Sequence, residues 1–154
     1  GRTGIDLTCD TLLRIQRACP NVIATKEATG NVLRAQEIVA RSAGKMTVLS
    51  GDDALTLPMI AVGASGVISV SSNLLPKAVS DATRAALEGR FADALALHQK
   101  LLPVHEAMFV EANPAPLKAA LALRGKMTDA VRGPLSSPTQ ATKERVARAI
   151  EAFS

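Results

Sequence analysis

The sequence predicts an α/β fold in which helices cover a parallel β-sheet and an all-helical segment follows. Three short segments are mostly apolar without a clean polar alternation, namely residues 21–25, 46–49 and 66–70. Near-continuous apolar strands are typical of parallel sheets that are buried on both faces. Helical patterns lie between these segments, so we predict successive βα units.

Local start and stop signals define the helices. In the α/β part they are predicted over residues 7–18, 31–42, 53–62 and 75–87. Asn31 and Asp52 stand where N-caps are favoured, and Gly44 and Gly63 follow the ends of the second and third helices. After Gly89 the strand signal disappears, and three further helices are predicted over residues 91–110, 114–123 and 139–153.

A three-stranded parallel sheet is a poor finished fold, because it leaves two open edges and much apolar surface exposed. The usual closed solution is a (β/α)8 TIM barrel of about 250 residues. We therefore expect residues 1–89 to form the last three strands of such a barrel with their helices, and residues 90–154 to form a C-terminal helical domain. The missing N-terminal half of the barrel is then an expected partner.

Composition argues against several function classes. The net charge of +4 comes from 18 basic and 14 acidic residues that are scattered along the chain, and only 2% of residues are aromatic. A nucleic-acid interface needs a basic patch with stacking groups, so we expect none. No apolar run approaches the roughly 18 residues of a membrane span, so we expect neither a membrane span nor a signal peptide. Cys9 and Cys19 are too few for a disulfide framework, so we expect free thiols and a cytoplasmic protein.

Lys26 is the strongest candidate for chemistry. It follows the apolar segment 21–25, and the C-terminal ends of barrel strands carry catalytic groups. A lysine there is costly to bury unless its amine is neutral or paired. A desolvated lysine is the nucleophile that forms Schiff bases with carbonyl substrates. From this residue alone, the alternative of a strand-end lysine that pairs with Glu27 or extends into solvent stays open.

The remaining candidate residues have simpler interpretations. Asp52 and Asp53 could ligate a metal, but such a pair more often caps a helix. His98 and His105 lack the i, i+4 spacing of a helical metal-binding pair, so we expect structural or surface roles. We therefore predict no metal site.

Two more positions could approach a ligand. Gly51 would let the backbone come close to a substrate, although it also fits an ordinary turn. Arg2 could hold a carboxylate through two hydrogen bonds, although an arginine near a chain end is more often solvated.

Four blocks of sequence together resemble the dihydrodipicolinate synthases in content, order and spacing. They are residues 23–31 (IATKEATGN), 49–53 (LSGDD), 66–70 (GVISV) and 109–118 (FVEANPAPLK). The resemblance runs from Arg2 to the last helix and corresponds to the C-terminal half of that family. It implies a barrel lyase with a C-terminal helical domain that condenses pyruvate with aspartate semialdehyde to 4-hydroxy-tetrahydrodipicolinate, on the diaminopimelate route to lysine.

The resemblance also implies roles for single residues. Lys26 would be the Schiff-base lysine on the sixth strand, with the backbones of Gly51 and Ile68 lining the pyruvate pocket and Arg2 receiving the carboxylate of the semialdehyde. The covalent imine on Lys26 would make any metal or organic cofactor unnecessary. Members of the family are usually homotetramers.

The resemblance places the proton-relaying threonine and tyrosine hydroxyls in the upstream half, and this sequence contains no Tyr. We therefore expect the chain to be inactive alone. A sister pyruvate aldolase, such as N-acetylneuraminate lyase or a ketodeoxygluconate-type aldolase, is the nearest alternative; Arg2 and the KEATGN and SGDD blocks favour the synthase. An alternative of another class is a non-catalytic fragment or assembly module in which Lys26 is inert.

Overall fold

The computed structural model describes residues 3–153, which form two parallel strands and seven α-helices. The strands are β1 (Ala24–Glu27) and β2 (Thr47–Ser50). The helices are α1 (Cys9–Ala18), α2 (Val32–Ser42), α3 (Thr56–Ala61), α4 (Pro76–Leu87), α5 (Phe91–Ala107), α6 (Ala115–Leu123) and α7 (Gln140–Phe153). The predicted α/β class and the helical second part are confirmed.

The continuous third strand predicted over residues 66–70 is wrong. β1 and β2 pair in parallel, but the third segment contributes only a parallel bridge between Ser50 and Val67. Hydrogen bonds of 2.8 Å from the Ser50 N–H to the Gly66 carbonyl and from the Ile68 N–H to the Ser50 carbonyl complete this contact. The ladder stops after Ile68, because the backbone N–H groups of Val70 and Ser71 donate to the carboxylate of Asp53 instead.

The helix predictions are accurate to a few residues where a side-chain cap marks the start. Thr8 and Asn31 accept hydrogen bonds from the first turns of α1 and α2, as their residue types favour. The helix predicted over residues 53–62 instead divides into a 3-10 turn at Asp53–Leu55 and the short α3. β1 begins three residues later than predicted, so Lys26 lies within the strand and one residue before its end.

Within residues 3–153, helices cover only one face of the strands. Val48, 1% exposed, points into a core that α1, α2 and α3 complete with apolar side chains such as Leu12, Ile38 and Met59. On the opposite face Lys26 and Thr47 are exposed. Parallel strands of this composition are usually buried on both faces, so the uncovered face departs from the usual pattern.

A second core joins the helices of the C-terminal part. Val104 and Met108 at the end of α5 pack with Leu117 of α6 and Val146 of α7. The division into residues 1–89 and 90–154 stays a prediction, and α4 packs against α5 across it. No helix within residues 3–153 combines the length and apolar character needed to cross a bilayer.

Candidate active site

An open groove of ≈ 770 Å³ lies where the carboxyl ends of the strands meet the end of α5. Its lining residues come from all four blocks that the sequence singled out. They are Lys26 and Ala28, Gly51 and Asp52, Val70, and residues 109–113. Residues more than eighty positions apart in the chain thus meet at one surface, which makes the groove the candidate active site.

Lys26 stands unengaged on the uncovered face of the strands. Its side chain is exposed and makes no hydrogen bond or ion pair with residues 3–153. Side chains alternate along a strand, so Leu49, which lies opposite Lys26, shares this face. Since Val67 lies opposite Ser50, the adjacent Ile68 is also on the side of Leu49. The ammonium or amine of Lys26 is therefore available to a ligand.

The alternative in which Lys26 pairs with Glu27 is wrong. Glu27 is 1% exposed and points to the covered face. Its Oε1 accepts hydrogen bonds from the N–H of Thr29, at 2.8 Å, and from the hydroxyl of Thr29. Its Oε2 forms an ion pair with Arg34, whose other terminal nitrogen donates to the Leu7 carbonyl. This arrangement, the Glu27–Arg34 clamp, fixes the direction of the chain immediately after Lys26.

Gly51 sits where the two strand ends touch. Its N–H donates to the Glu27 carbonyl at 2.7 Å. A Cβ at this position would lie 2.7 Å from the Cβ of Ala28 and 2.9 Å from the Glu27 carbonyl oxygen, which is closer than real side chains approach. Glycine is thus required here by the close approach of Glu27 and Ala28, and not only by the geometry of a turn.

The two adjacent aspartates have different surroundings. Asp52 lines the groove and accepts a hydrogen bond from the Ala54 N–H at 2.9 Å, so the capping prediction is confirmed for it. Asp53 is 1% exposed and accepts from the Ser69 hydroxyl, from Val70 N–H at 2.8 Å and from Ser71 N–H at 3.4 Å. For Asp53 the capping prediction is wrong. Its role was not predicted, because two adjacent aspartates give no local signal of which one is buried.

The sequence profile of the dihydrodipicolinate synthetase family matches residues 1–153. The chain belongs to this family. The 4-hydroxy-tetrahydrodipicolinate synthase of Sorangium cellulosum is 54% identical over 150 residues, which are 97% of this chain and 50% of that protein. The chain thus spans about half the length of a lyase-family relative.

Solved structures of dihydrodipicolinate synthases share the fold. The 4-hydroxy-tetrahydrodipicolinate synthase of Methylacidiphilum fumariolicum superposes with a TM-score of 0.95 at 40% identity, over 97% of this chain and 50% of that one. The chloride-inhibited dihydrodipicolinate synthase of Acinetobacter baumannii, solved in complex with pyruvate, gives a TM-score of 0.93 at 35% identity, over 97% and 51%.

The two remaining predicted site residues are Ile68 and Arg2. Ile68 is 44% exposed on the face of Lys26 but does not line the groove. Arg2 lies outside the described residues. Within residues 3–153, no group of three His, Cys, Asp or Glu side chains is arranged to hold a metal ion.

His105 is buried beside Ser71 and Asp53, outside the lining of the groove. It is 4% exposed, and its Nδ1 is hydrogen-bonded to the Ser71 hydroxyl at 2.9 Å and lies 3.9 Å from Asp53 Oδ1. With Asp53 and His98 it lines a cavity of ≈ 20 Å³, room for about one water molecule. Burial lowers the pKa of His105 and outweighs the opposing effect of Asp53. The structural role predicted for this histidine is confirmed.

We expect the free energy of unfolding to fall as the pH is lowered from about 7.5 to about 5.5. Burial lowers the pKa of both His98 and His105 from the ordinary value of 6.5. In this pH range the two histidines therefore bind more protons in the unfolded chain than in the folded chain. Stability is therefore fully present above the unfolded pKa and is lost as the pH falls toward the folded one. Urea unfolding across this range measures the slope.

The double variant His98→Asn, His105→Asn should flatten this slope. Asparagine at 105 keeps a polar atom near the position of Nδ1, facing Ser71, but does not titrate. An unchanged slope in the double variant would assign the pH dependence to other groups.

Proposed function

We propose that this chain carries the imine-forming lysine of a Schiff-base lyase that condenses pyruvate with aspartate semialdehyde to 4-hydroxy-tetrahydrodipicolinate. One observation carries the proposal: Lys26 stands unengaged within residues 3–153, at a groove built by all four sequence blocks. The names of the relatives and the pyruvate complex of the Acinetobacter baumannii enzyme support it.

We also propose that residues 1–89 provide the last three strand positions of a (β/α)8 barrel, with the uncovered sheet face as its interior. The helices lie on the opposite face, and the interior of such a barrel is filled by inward side chains of all its strands. A further half-barrel is thus the proposed partner, and its closure would enclose Lys26. Homotetramer formation stays a prediction.

The chemistry follows from an enclosed amine. The neutral amine of Lys26 adds to the ketone carbon of pyruvate, and loss of water gives an iminium ion. The iminium accepts the electron pair released when a methyl proton leaves, which forms an enamine. The enamine carbon attacks the aldehyde carbon of the second substrate, and the product amine then displaces Lys26 by transimination. Because the iminium is itself the electron sink, we propose that no metal or organic cofactor takes part.

Other residues would bind and orient the substrates. We propose that the backbones of Gly51 and Ile68 border the pyruvate and that Arg2 binds the carboxylate of the semialdehyde through two hydrogen bonds. The groups that relay protons would come from the partner half-barrel, since the chain has no Tyr. The isolated chain is therefore expected to turn over slowly or not at all.

Borohydride trapping tests the proposal. The protein is incubated with pyruvate, reduced, and digested, and the modified lysine is located by peptide mass spectrometry. Two forms are compared: the chain alone, and the chain joined to the half of the Sorangium cellulosum relative that it does not match. We expect a reduced pyruvyl group on Lys26 in the joined form, with exposed lysines such as Lys45 and Lys77 unmodified.

An unmodified Lys26 in a folded joined form would contradict the proposal and favour a non-catalytic module. Adding aspartate semialdehyde before reduction should deplete the adduct. Depletion by N-acetylmannosamine instead would identify the sister lyase.

A further inference from the structure

Three successive residues converge on one buried carboxylate behind the groove. Asp53 accepts from the Ser69 hydroxyl and from the backbone N–H groups of Val70 and Ser71. A carboxylate that is 1% exposed would be strongly destabilising without such donors. The backbone N–H groups of Val70 and Ser71 are thereby unavailable for pairing with β2.

The hydrogen bonds of the Asp53 carboxylate reach residues that line the groove or support its walls. Val70, whose N–H donates to Asp53, lines the groove together with Lys26. Ser71 is hydrogen-bonded to His105 in the last turn of α5, and that helix leads directly into residues 109–113, which form the other wall. Asp52, the neighbour of Asp53 in sequence, lies in the groove itself. Hydrogen bonds thus link Asp53 directly to Val70 and, through Ser71, to His105 near the end of α5.

We propose that Asp53 is a positioning residue that sets the affinity of the groove for pyruvate. The inference rests on the proposed function of Lys26. Asp53 acts through Val70, Ser71 and His105, and it needs no contact with substrate. A merely structural carboxylate would change the fraction of folded protein, whereas a positioning residue changes the pyruvate concentration that half-saturates Lys26.

The test compares variants by borohydride trapping at increasing pyruvate concentration, in the form in which the wild-type protein is labelled. Asp53→Asn replaces one acceptor oxygen by an NH2 group that cannot accept from the N–H groups of Val70 and Ser71. We expect the half-saturating concentration to rise about tenfold, the equivalent of one lost charged hydrogen bond, with maximal labelling of the folded fraction unchanged.

Two milder substitutions at Ser69 keep the test informative if Asp53→Asn does not fold. Ser69→Ala removes one donor to Asp53, and Ser69→Thr keeps the hydroxyl. We expect a smaller rise for the alanine variant and near wild-type behaviour for the threonine variant. Asp93→Asn, the same change at an exposed carboxylate that pairs with Arg90, is the matched control and should behave as wild type.

The outcomes separate the two proposals. If the variants lose thermal stability but keep the wild-type half-saturation, Asp53 is merely structural and the inference is overturned. If Ser69→Thr is as impaired as Ser69→Ala, the hydroxyl contact is not the cause and the inference is also overturned. A wild-type protein that shows no Lys26 adduct in either form overturns the proposed function and this inference with it.

Discussion

Replacing Lys26 by arginine is expected to abolish the borohydride-stable pyruvate adduct and to lower the condensation rate at least about a thousandfold. A guanidinium stays protonated and cannot add to a ketone, although it keeps the positive charge. In the chain alone Lys26 is exposed and makes no hydrogen bond or ion pair within residues 3–153, so the unfolding midpoint of this form should stay within the small range typical of surface substitutions. Trapping and steady-state rates are measured in the joined form, and thermal unfolding is measured in the chain alone.

Lys45→Arg is the matched control, because Lys45 is also exposed and lies just before β2. It should keep both adduct and rate. A Lys26→Arg variant that still condenses the substrates would exclude Lys26 as the nucleophile. One that unfolds instead would contradict the expectation that Lys26 contributes little to stability.

Local signals account for the parts of the fold that sequence predicted well. The start of α2 follows from Asn31, whose side chain accepts from the Arg34 N–H, and its end follows from Ala43 and Gly44, both at positive φ. These determinants lie within a few residues of the boundary they set. A cap or a left-handed residue acts on its own turn, so one sequence is enough to recognise it.

The strand prediction over residues 66–70 was wrong because pairing of this segment depends on a residue that is distant in sequence. Apolar composition favours a strand over residues 66–70, but the Asp53 carboxylate, 17 and 18 positions earlier, accepts from the backbone N–H groups of Val70 and Ser71. Backbone donors cannot serve both a β-ladder and a side chain. Composition has no information about such competition.

The candidate site was predictable only in part for the same reason. Lys26 and Gly51 were identified because catalytic groups collect at the ends of parallel strands. The contribution of residues 109–113 was visible only through the family resemblance, since nothing in a loop after a helix predicts that it returns to a sheet. The burial of Glu27 was hidden by its neighbour Lys26, because alternate residues of a strand face opposite sides.

The largest loss of stability is expected from Arg34→Met, which leaves the buried carboxylate of Glu27 with only the two donors of Thr29. Removing one partner of a fully buried ion pair costs about 3–5 kcal/mol. Since 20% of the Arg34 side chain is exposed, we expect about 2–4 kcal/mol, after allowing for screening by solvent. Methionine has a helix propensity close to that of arginine, so α2 itself should not weaken. The midpoint and slope of urea unfolding measure the change.

Arg41→Met on the same helix separates the Glu27–Arg34 clamp from the general effect of removing an arginine. Arg41 pairs with Asp10 and Glu37, whose side chains are 75% and 46% exposed, so its loss should cost far less stability than the loss of Arg34. Equal losses in the two variants would show that burial of Glu27 does not strengthen its pairing. A large loss for Arg34→Met alone would mean that the chain segment after Lys26 is held by this one ion pair. The clamp would then be a condition for presenting the lysine to the groove.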